Sequence, residues 1–432
     1  MAVTTPRIAI VGAGPAGLML ARILHHNNIP STVFERDISA TARQQGGSLD
    51  IHEDSGQQAF HAAGLMDTFR AAVRQGGEAT KIMKKDGTVL FDDDGTYKAE
   101  ETKGDEEQPH AEANDFVKGR PEIDRSVLKD LLIASLPADT IRWGSKVISV
   151  TQVPDSKQWK VELANGPQLA PFDLVVGADG GWSRIRSVLS DQKPLYSGVV
   201  ALDVWAHNVD EAAPDVAALV GLGTCFCWGE DRALIFQRNG EGRKAEARCY
   251  ACIKTDTEVS PSARELLGLE NEADEGDDVD WSDLRVRETF IERNFKDWSA
   301  HLKSVYLKMN DSPVFRPLYM LPVGFTWESR PGVTLVGDSA HLMTPFAGVG
   351  VNVAFMDALE LGQGIAGCVK TGNTDGNGLS EMVQRYEKGM FARSSQDAVK
   401  TETIMNLQFR AGGPEQMVKI FSGEESEGAT SE

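Results

Sequence analysis

No run of this 432-residue chain is long and apolar enough to span a bilayer as a helix. Cysteine is scarce. Five residues, an odd number thinly spread, make no disulfide framework and point to a reducing, cytoplasmic setting. Four of them, Cys225, Cys227, Cys249 and Cys252, stand in Thr-Cys-Phe-Cys-Trp and Cys-Tyr-Ala-Cys-Ile, settings that read as strand rather than as a zinc site, and no metal is expected. Positive charge is short as well: 44 Lys and Arg against 64 Asp and Glu leave a net charge of -20, which argues against nucleic acid and anionic membrane surfaces as partners. No Ser/His/Asp or metal constellation stands out, so no catalytic side chain is assigned.

What is present is ordinary in bulk and specific in detail. A hydrophobic share of 41% with 25% charged residues is that of a globular protein, and the length suits two or three domains. Arg7-Ile-Ala-Ile-Val11 reads as a buried strand. Gly12-Ala-Gly14-Pro-Ala16-Gly17 follows at once and opens a helix through Leu18, Leu20, Ala21 and Leu24. A second strand, Ser31–Phe34, ends at Glu35. Glycines at this spacing permit a tight turn, close approach to a pyrophosphate and helix–sheet packing, and the acid about 20 residues on suits a ribose. The pattern indicates a dinucleotide without deciding between FAD and a nicotinamide cofactor. Arg36 and Arg43 follow, readable as solvated charge or as groups serving the cofactor. Gly46-Gly-Ser-Leu-Asp50 is a glycine turn entering a strand, and 56–69 is expected to be one short helix.

Asp92–Asp115 and Asn271–Asp283 are acidic, poor in large apolar residues and expected to be loops; Ser422–Glu432 reads as an acidic tail. Glu122-Ile-Asp-Arg125 leads into a helix with Arg125 in its first turn, where a cation opposes the dipole and needs a partner. A second motif begins with the strand Phe172–Gly177, continues through Asp179 and Gly180, and reaches Ser183 as a candidate N-cap.

The third motif is Thr334-Leu-Val-Gly337-Asp338-Ser-Ala-His341, then Pro345, Phe346, Gly348 and Gly350, with a helix from Val351. A strand, an acid, a glycine loop and a helix N-terminus suit a ligand combining a polyol chain with a ring that becomes anionic. His341 reads either as a base or as a structural histidine, the latter preferred. From Ser197 to Lys254 the period changes to short alternating runs that predict an antiparallel sheet, with Trp205, Trp228, Phe236 and Tyr250 on one aromatic-accepting face. Pro345 and Phe346 are added as substrate-pocket candidates. A C-terminal helix is expected over 379–410.

Gly12–Gly17, Asp179–Arg186 and Gly337–Leu361, in this order, resemble the class A flavoprotein monooxygenases related to para-hydroxybenzoate hydroxylase. With Glu35-Arg36, Arg43, Gly46–Asp50 and Glu122–Arg125 the chain looks like the branch of tetracycline-inactivating enzymes. The resemblance implies an α/β fold: a Rossmann-like FAD-binding domain (1–75, 112–188 and 300–370), a substrate domain with an antiparallel sheet (76–111 and 189–299), and a C-terminal helix with an acidic tail (371–432). It also implies that Glu35 and Arg36 hold the adenosine part of non-covalent FAD and that Asp50, Arg125 and Asp338 contact it. Arg43 would meet a transient NADPH, and the amides of Gly348 to Val351 would face the ring. The implied reaction oxygenates a small aromatic or polycyclic substrate with oxygen through a flavin hydroperoxide. A non-oxygenating flavoprotein or redox sensor stays open as the alternative; a halogenase lacks its Trp-x-Trp pair here.

Overall fold

The computed structural model describes residues 5–42, 46–93, 116–240, 244–269 and 279–424. Arg43 therefore lies outside the described residues, as do most of the two acidic stretches and of the C-terminal tail expected from sequence. The chain forms two compact units: Met1–Val73 with Phe116–Leu195 and Tyr319–Thr401, and Arg74–Asp115 with Tyr196–Leu318 and Glu402–Glu432. Among the described residues no helix is long and apolar enough to cross a membrane.

The first unit is built on a parallel sheet in the order Val333–Leu335, Leu174–Gly177, Ile8–Val11, Ser31–Phe34, Ile141–Arg142. Ile8 through Val11 and Leu174 through Gly177 are buried at every position, the pattern of strands covered on both faces. Helices Pro15–His26 and Gly350–Thr371 pack against each other, and Phe60 stacks on Phe69 at 4.5 Å while meeting Phe355 edge-on at 5.6 Å. Each such buried aromatic contributes about 1.5–3 kcal/mol of burial. The single helix expected over 56–69 is two, Gly56–Ala62 and Met66–Ala72, broken at Gly64 and Leu65, where the chain leaves helical geometry. Ser48–Asp50 pairs antiparallel with Glu122–Asp124, so two segments more than seventy residues apart lie side by side.

The second unit holds a seven-stranded sheet in the order Val314–Met320, Leu195–His207, Glu246–Lys254, Arg232–Asn239, Thr224–Gly229, Thr80–Lys84, Val89–Asp92. Four of its pairings are antiparallel, as alternation predicts, but Thr80–Lys84 joins Thr224–Gly229 in parallel. One sheet face carries Val200, Leu202, Val204, Cys225, Cys227, Phe236 and Cys249 into a core covered by helices such as Leu284–Asn294 and Ala300–Leu307. Helix Gly413–Phe421 packs on Thr224–Gly229, with Phe421 against Phe226 and Glu415 ion-paired to Lys84.

Two sequence boundaries need correction. Residues 300–318, expected with the FAD domain, belong to the second unit, because Leu302, Val305 and Tyr306 complete its core. The C-terminal segment is not a unit of its own: helix Gly376–Gln408 packs with the first unit as far as Thr401, and the rest belongs to the second.

Candidate functional site

Parallel register brings the three motifs together. Val11 is level with Phe34 and with Gly177, and Gly177 with Leu335. The residues that follow, Gly12, Glu35, Ala178-Asp179 and Val336-Gly337-Asp338, therefore emerge along one carboxyl edge of the sheet, the edge at which open α/β sheets bind ligands. Backbone bonds tie it: Gly12 N–H to Phe34 O at 2.8 Å, Ala178 N–H to Val11 O at 2.8 Å and Val336 N–H to Gly177 O at 2.9 Å. Gly12 has φ +110, and a Cβ there would stand 2.2 Å from Ala178 O, so only glycine fits.

Glu35 is buried and joins this edge from the second strand. Its Oε2 accepts the Ala13 N–H at 2.7 Å and its Oε1 the Asp37 N–H at 2.9 Å, which fixes the glycine loop against the strand end. Each oxygen keeps acceptor capacity for a hydroxyl. Arg36 beside it is exposed. Asp179 is largely consumed internally: it accepts from Ser183 Oγ at 2.5 Å, Arg184 N–H at 2.7 Å and Ser339 Oγ at 3.2 Å. Ser183 also accepts the Arg186 N–H at 2.9 Å, but the N-cap position of helix Arg186–Leu189 is Ile185, not Ser183 as expected from sequence. Asp338 is the contrast. It is exposed and, among the described residues, accepts no hydrogen bond, while its neighbours Ser339, Ala340 and His341 are buried.

A second part of the site lies around Gly348. The Asp50 carboxylate is nearly buried and takes Arg120 Nη2 at 2.6 Å, Arg120 Nε at 3.1 Å and His52 Nε2 at 2.9 Å, all on Oδ2, leaving Oδ1 unbonded among the described residues. Burial pushes its pKa up, but the His52 hydrogen bond and the Arg120 charge outweigh that and hold it below the usual carboxylate range. Asn352 clamps this strand to the helix start, Nδ2 donating to Asp50 O at 3.0 Å and Oδ1 accepting the His52 N–H at 2.9 Å. A Cβ on Gly348 would stand 3.5 Å from both Asp50 Oδ2 and Arg120 Nη2. Arg125 is exposed at the start of helix Arg125–Ala134, and its N–H reaches Gly47 O at 3.3 Å.

The residues fit an anionic dinucleotide on two observations. Neither Pro15–His26 nor Gly350–Thr371 has a side-chain cap, so no cap side chain competes for the first-turn amides that can receive an anion. A Cβ at Gly14 or at Gly350 would meet nothing within 4 Å, so these glycines leave open space rather than serve protein packing. Val351 is buried in the first turn of the second helix, Ala16 in that of the first, and Gly17 packs on the Gly12 backbone. Pro345 and Phe346 lie in the short 3-10 turn Pro345–Ala347 before Gly348; Pro345 is exposed and Phe346 half-buried.

The aromatic candidates of the second unit do not share one face. Trp205, Trp228 and Tyr250 alternate with the core positions and lie opposite them, whereas Phe236 is fully buried in the helix-covered core between Cys225 and Cys249. The reason is strand parity: Phe236 is paired with those two inward residues, and a one-residue step changes face. Arg248 lies between the rings of Trp205 and Tyr250, 5.1 and 4.5 Å from their centroids. It also forms a two-bond pair with the buried Asp203, at 2.7 and 2.5 Å, and Arg316 Nε reaches the same carboxylate at 2.6 Å. Cys252 faces away from the other three cysteines of the sheet, and burial pushes its thiol up to about 12. Among the described residues no cluster of three His, Cys, Asp or Glu is placed to hold a metal.

Arg120, Asn352, Ser339 and Asp357 are not singled out by sequence pattern. Arg120 has a signal, since it opens the Arg-Pro-Glu-Ile-Asp-Arg run; the other three depend on contacts between distant segments.

Comparison with known proteins agrees with this geometry. The FAD binding domain family matches residues 5–245 and 327–389. Monooxygenase penA of Penicillium thymicola is 32% identical over 451 residues, covering 96% of this chain and 98% of the relative. Monooxygenase asqM of Emericella nidulans is 34% identical over 388 residues, covering 83% of each. The crystal structure of tetracycline destructase Tet(51) is similar in fold, with a TM-score of 0.58 and 18% identity over 97% of this chain and 98% of that one.

Proposed function

Because the chain belongs to the FAD-binding-domain family of class A flavin monooxygenases, we propose that it consumes NAD(P)H, with NADPH as donor, to oxygenate a small aromatic or polycyclic, polyketide-like compound. The observation that carries this reading is the common sheet edge, where Asp338 presents a carboxylate that accepts no hydrogen bond among the described residues, beside two helix starts without side-chain caps.

Residue by residue, the amides of Gly12 to Gly17 would face the pyrophosphate. Glu35 and Arg36 would hold the adenosine, and Asp338 would accept hydrogen bonds from the ribityl hydroxyls. Asp50 through Oδ1, Arg125 and Asp179 would complete the FAD contacts, with the amides of Gly348, Gly350 and Val351 near the ring. Bound FAD would supply the redox chemistry by which NADPH, one proton and one molecule of oxygen yield NADP+, water and a substrate carrying one added oxygen atom. The protein supplies placement and a field. The positive end of helix Gly350–Thr371 favours the negative charge that reduction brings, and the Asp50–Arg120–His52 cluster holds a fixed array of charges beside Gly348. Arg43 would meet NADPH by its guanidinium fork. Trp205 and Tyr250, the aromatic pair around Arg248, are offered to the substrate, with Pro345 and Phe346 as further candidates; Trp228 is nearly as deeply buried as Phe236.

The test is a screen of small aromatic and polyketide-like compounds for stimulated NADPH oxidation, with isotopically labelled oxygen gas and mass analysis of the product. Stimulation with one labelled atom incorporated supports the proposal. NADPH oxidation that no compound stimulates and that labels no product favours a non-oxygenating flavoprotein.

A further inference from the structure

The turn that carries Asp338 is held at both ends by one buried carboxylate from the helix that follows it. Asp357, on helix Gly350–Thr371, is fully buried. Its Oδ2 accepts the Gly337 N–H at 2.9 Å and a hydrogen bond from His341 Nε2 at 2.5 Å, and its Oδ1 accepts Arg393 Nη2 at 3.0 Å. Gly337 precedes Asp338, and His341 ends the helical turn Asp338–His341. Between them Ser339 Oγ accepts the Gly180 N–H at 2.9 Å, and Ala340 is buried. Asp338 alone of the five faces outward. Gly337 sits at φ +60 and ψ -144, a backbone state open to glycine but not to a residue with a side chain.

We infer that Asp357 and His341 are positioning residues that set FAD affinity by fixing the Gly337–His341 turn, and with it the direction of the Asp338 carboxylate. The inference rests on the FAD reading above. A buried carboxylate that takes three hydrogen bonds in low dielectric is a stiff anchor, because moving any donor leaves charge unpaired. The turn therefore does not wait for a ligand to order it, and FAD meets an acceptor already in place.

The charge on His341 gives this role a signature. Burial pulls its pKa down, yet the charge and hydrogen bond of Asp357, with the charge of Asp338 behind, outweigh burial and raise it above the ordinary histidine value. From helix Gly376–Gln408, Arg393 binds the same Asp357, and Asp397, itself beside Lys400 and Arg393, also faces the imidazole. Glu360 pairs with Arg393 at 2.5 Å. As pH rises through the raised value the imidazolium loses its proton, and FAD affinity should fall.

The experiment dilutes the FAD-loaded full chain at pH 6 to 9 and reads released flavin by fluorescence at equilibrium. It compares wild type, His341→Gln, His341→Leu, Asp357→Asn and Asp338→Ala, with circular dichroism on every sample. His341→Leu should weaken FAD binding about tenfold or more, the scale of a lost hydrogen bond to a charged group. In His341→Gln the amide nitrogen can take the place of Nε2 and donate to Asp357 but carries no charge, so affinity should match that of the wild type at high pH, stay above that of His341→Leu, and show no alkaline fall. That pair of results supports the inference, and it stands even where Asp357→Asn fails to fold. Wild-type affinity in His341→Leu, with Asp338→Ala impaired, overturns the inference and leaves the FAD reading intact. Equal losses in the Leu and Gln variants with a flat wild-type profile also overturn it, since packing alone then explains both. A wild-type chain that binds no FAD removes the reading and the inference together.

Discussion

Replacing Asp338 by alanine should separate ligand binding from stability, and the contrast with Asp179 makes the separation measurable. The Asp338 side chain is exposed and accepts no hydrogen bond among the described residues, so removing it costs the fold little. If it accepts from ribityl hydroxyls, the variant loses a bond to a charged acceptor, about 1.5–3 kcal/mol. That corresponds to about a tenfold to hundredfold loss of FAD affinity. Asp179 accepts from Ser183, Arg184 and Ser339 within the protein. Its removal takes an acceptor from the buried Ser183 and Ser339 hydroxyls, at about 1–3 kcal/mol, or about 2–12 °C in a domain that shifts about 2–4 °C per kcal/mol. The assay is a thermal melt of each variant with and without excess FAD, paired with flavin retention after dilution. Asp338→Ala should melt near wild type without FAD and gain less when FAD is added; Asp179→Ala should melt lower in both conditions and lose less affinity than Asp338→Ala. An Asp338→Ala chain with wild-type FAD retention, or one that melts well below wild type without ligand, refutes the reasoning.

Three further outcomes are expected. Arg36→Ala should lower FAD content first, whereas Arg43→Ala should slow flavin bleaching by NADPH in stopped flow and leave FAD content near wild type; the reverse pattern means the two roles are exchanged. His207 is held by Glu246 at 2.7 Å and Asp311 at 3.0 Å, and although burial lowers its pKa, these hydrogen bonds and charges raise it above 6.5 overall. Its contribution to stability is therefore complete below the unfolded value and is lost as pH rises through the folded one, so the melting-temperature advantage of wild type over His207→Gln should shrink from pH 6 to pH 9. Phe236→Ala should cost about 3–5 kcal/mol in urea unfolding, the scale of a large cavity in a core, and leave the substrate preference found in the compound screen unchanged; a shifted preference with intact stability would return Phe236 to the binding surface.

The parts of the site legible in the sequence are those that local pattern encodes. Gly12 to Gly17 stand between a buried strand and an apolar helical run, and Glu35 ends the next strand, so both can be read directly. The Gly337–Asp338 corner is readable because an acid and glycines punctuate an otherwise apolar segment. What local pattern hides depends on pairing between distant segments. Nothing near Asp50 announces that Glu122–Asp124 will lie beside Ser48–Asp50 and bring Arg120 to its carboxylate. Asp357 looks like a polar interruption in a helix until the fold sets it under Gly337 and His341. Phe236 is misplaced by the sequence reading because alternation within one strand says which residues share a face, but not which face a neighbouring strand turns inward. The parallel entry of Thr80–Lys84 into the second sheet likewise joins segments that no local signal links.

If the carboxyl edge of the first sheet is an FAD site, the purified chain carries flavin that unfolding sets free. The most direct measurement is the flavin released when the purified chain is denatured and the supernatant is separated and quantified. The protein should be yellow and yield FAD at about one molecule per chain, with none left on the precipitate, as expected for a non-covalent site whose binding the fold alone maintains. Colourless protein that takes up no added FAD, or flavin that stays with the precipitated chain, would contradict it.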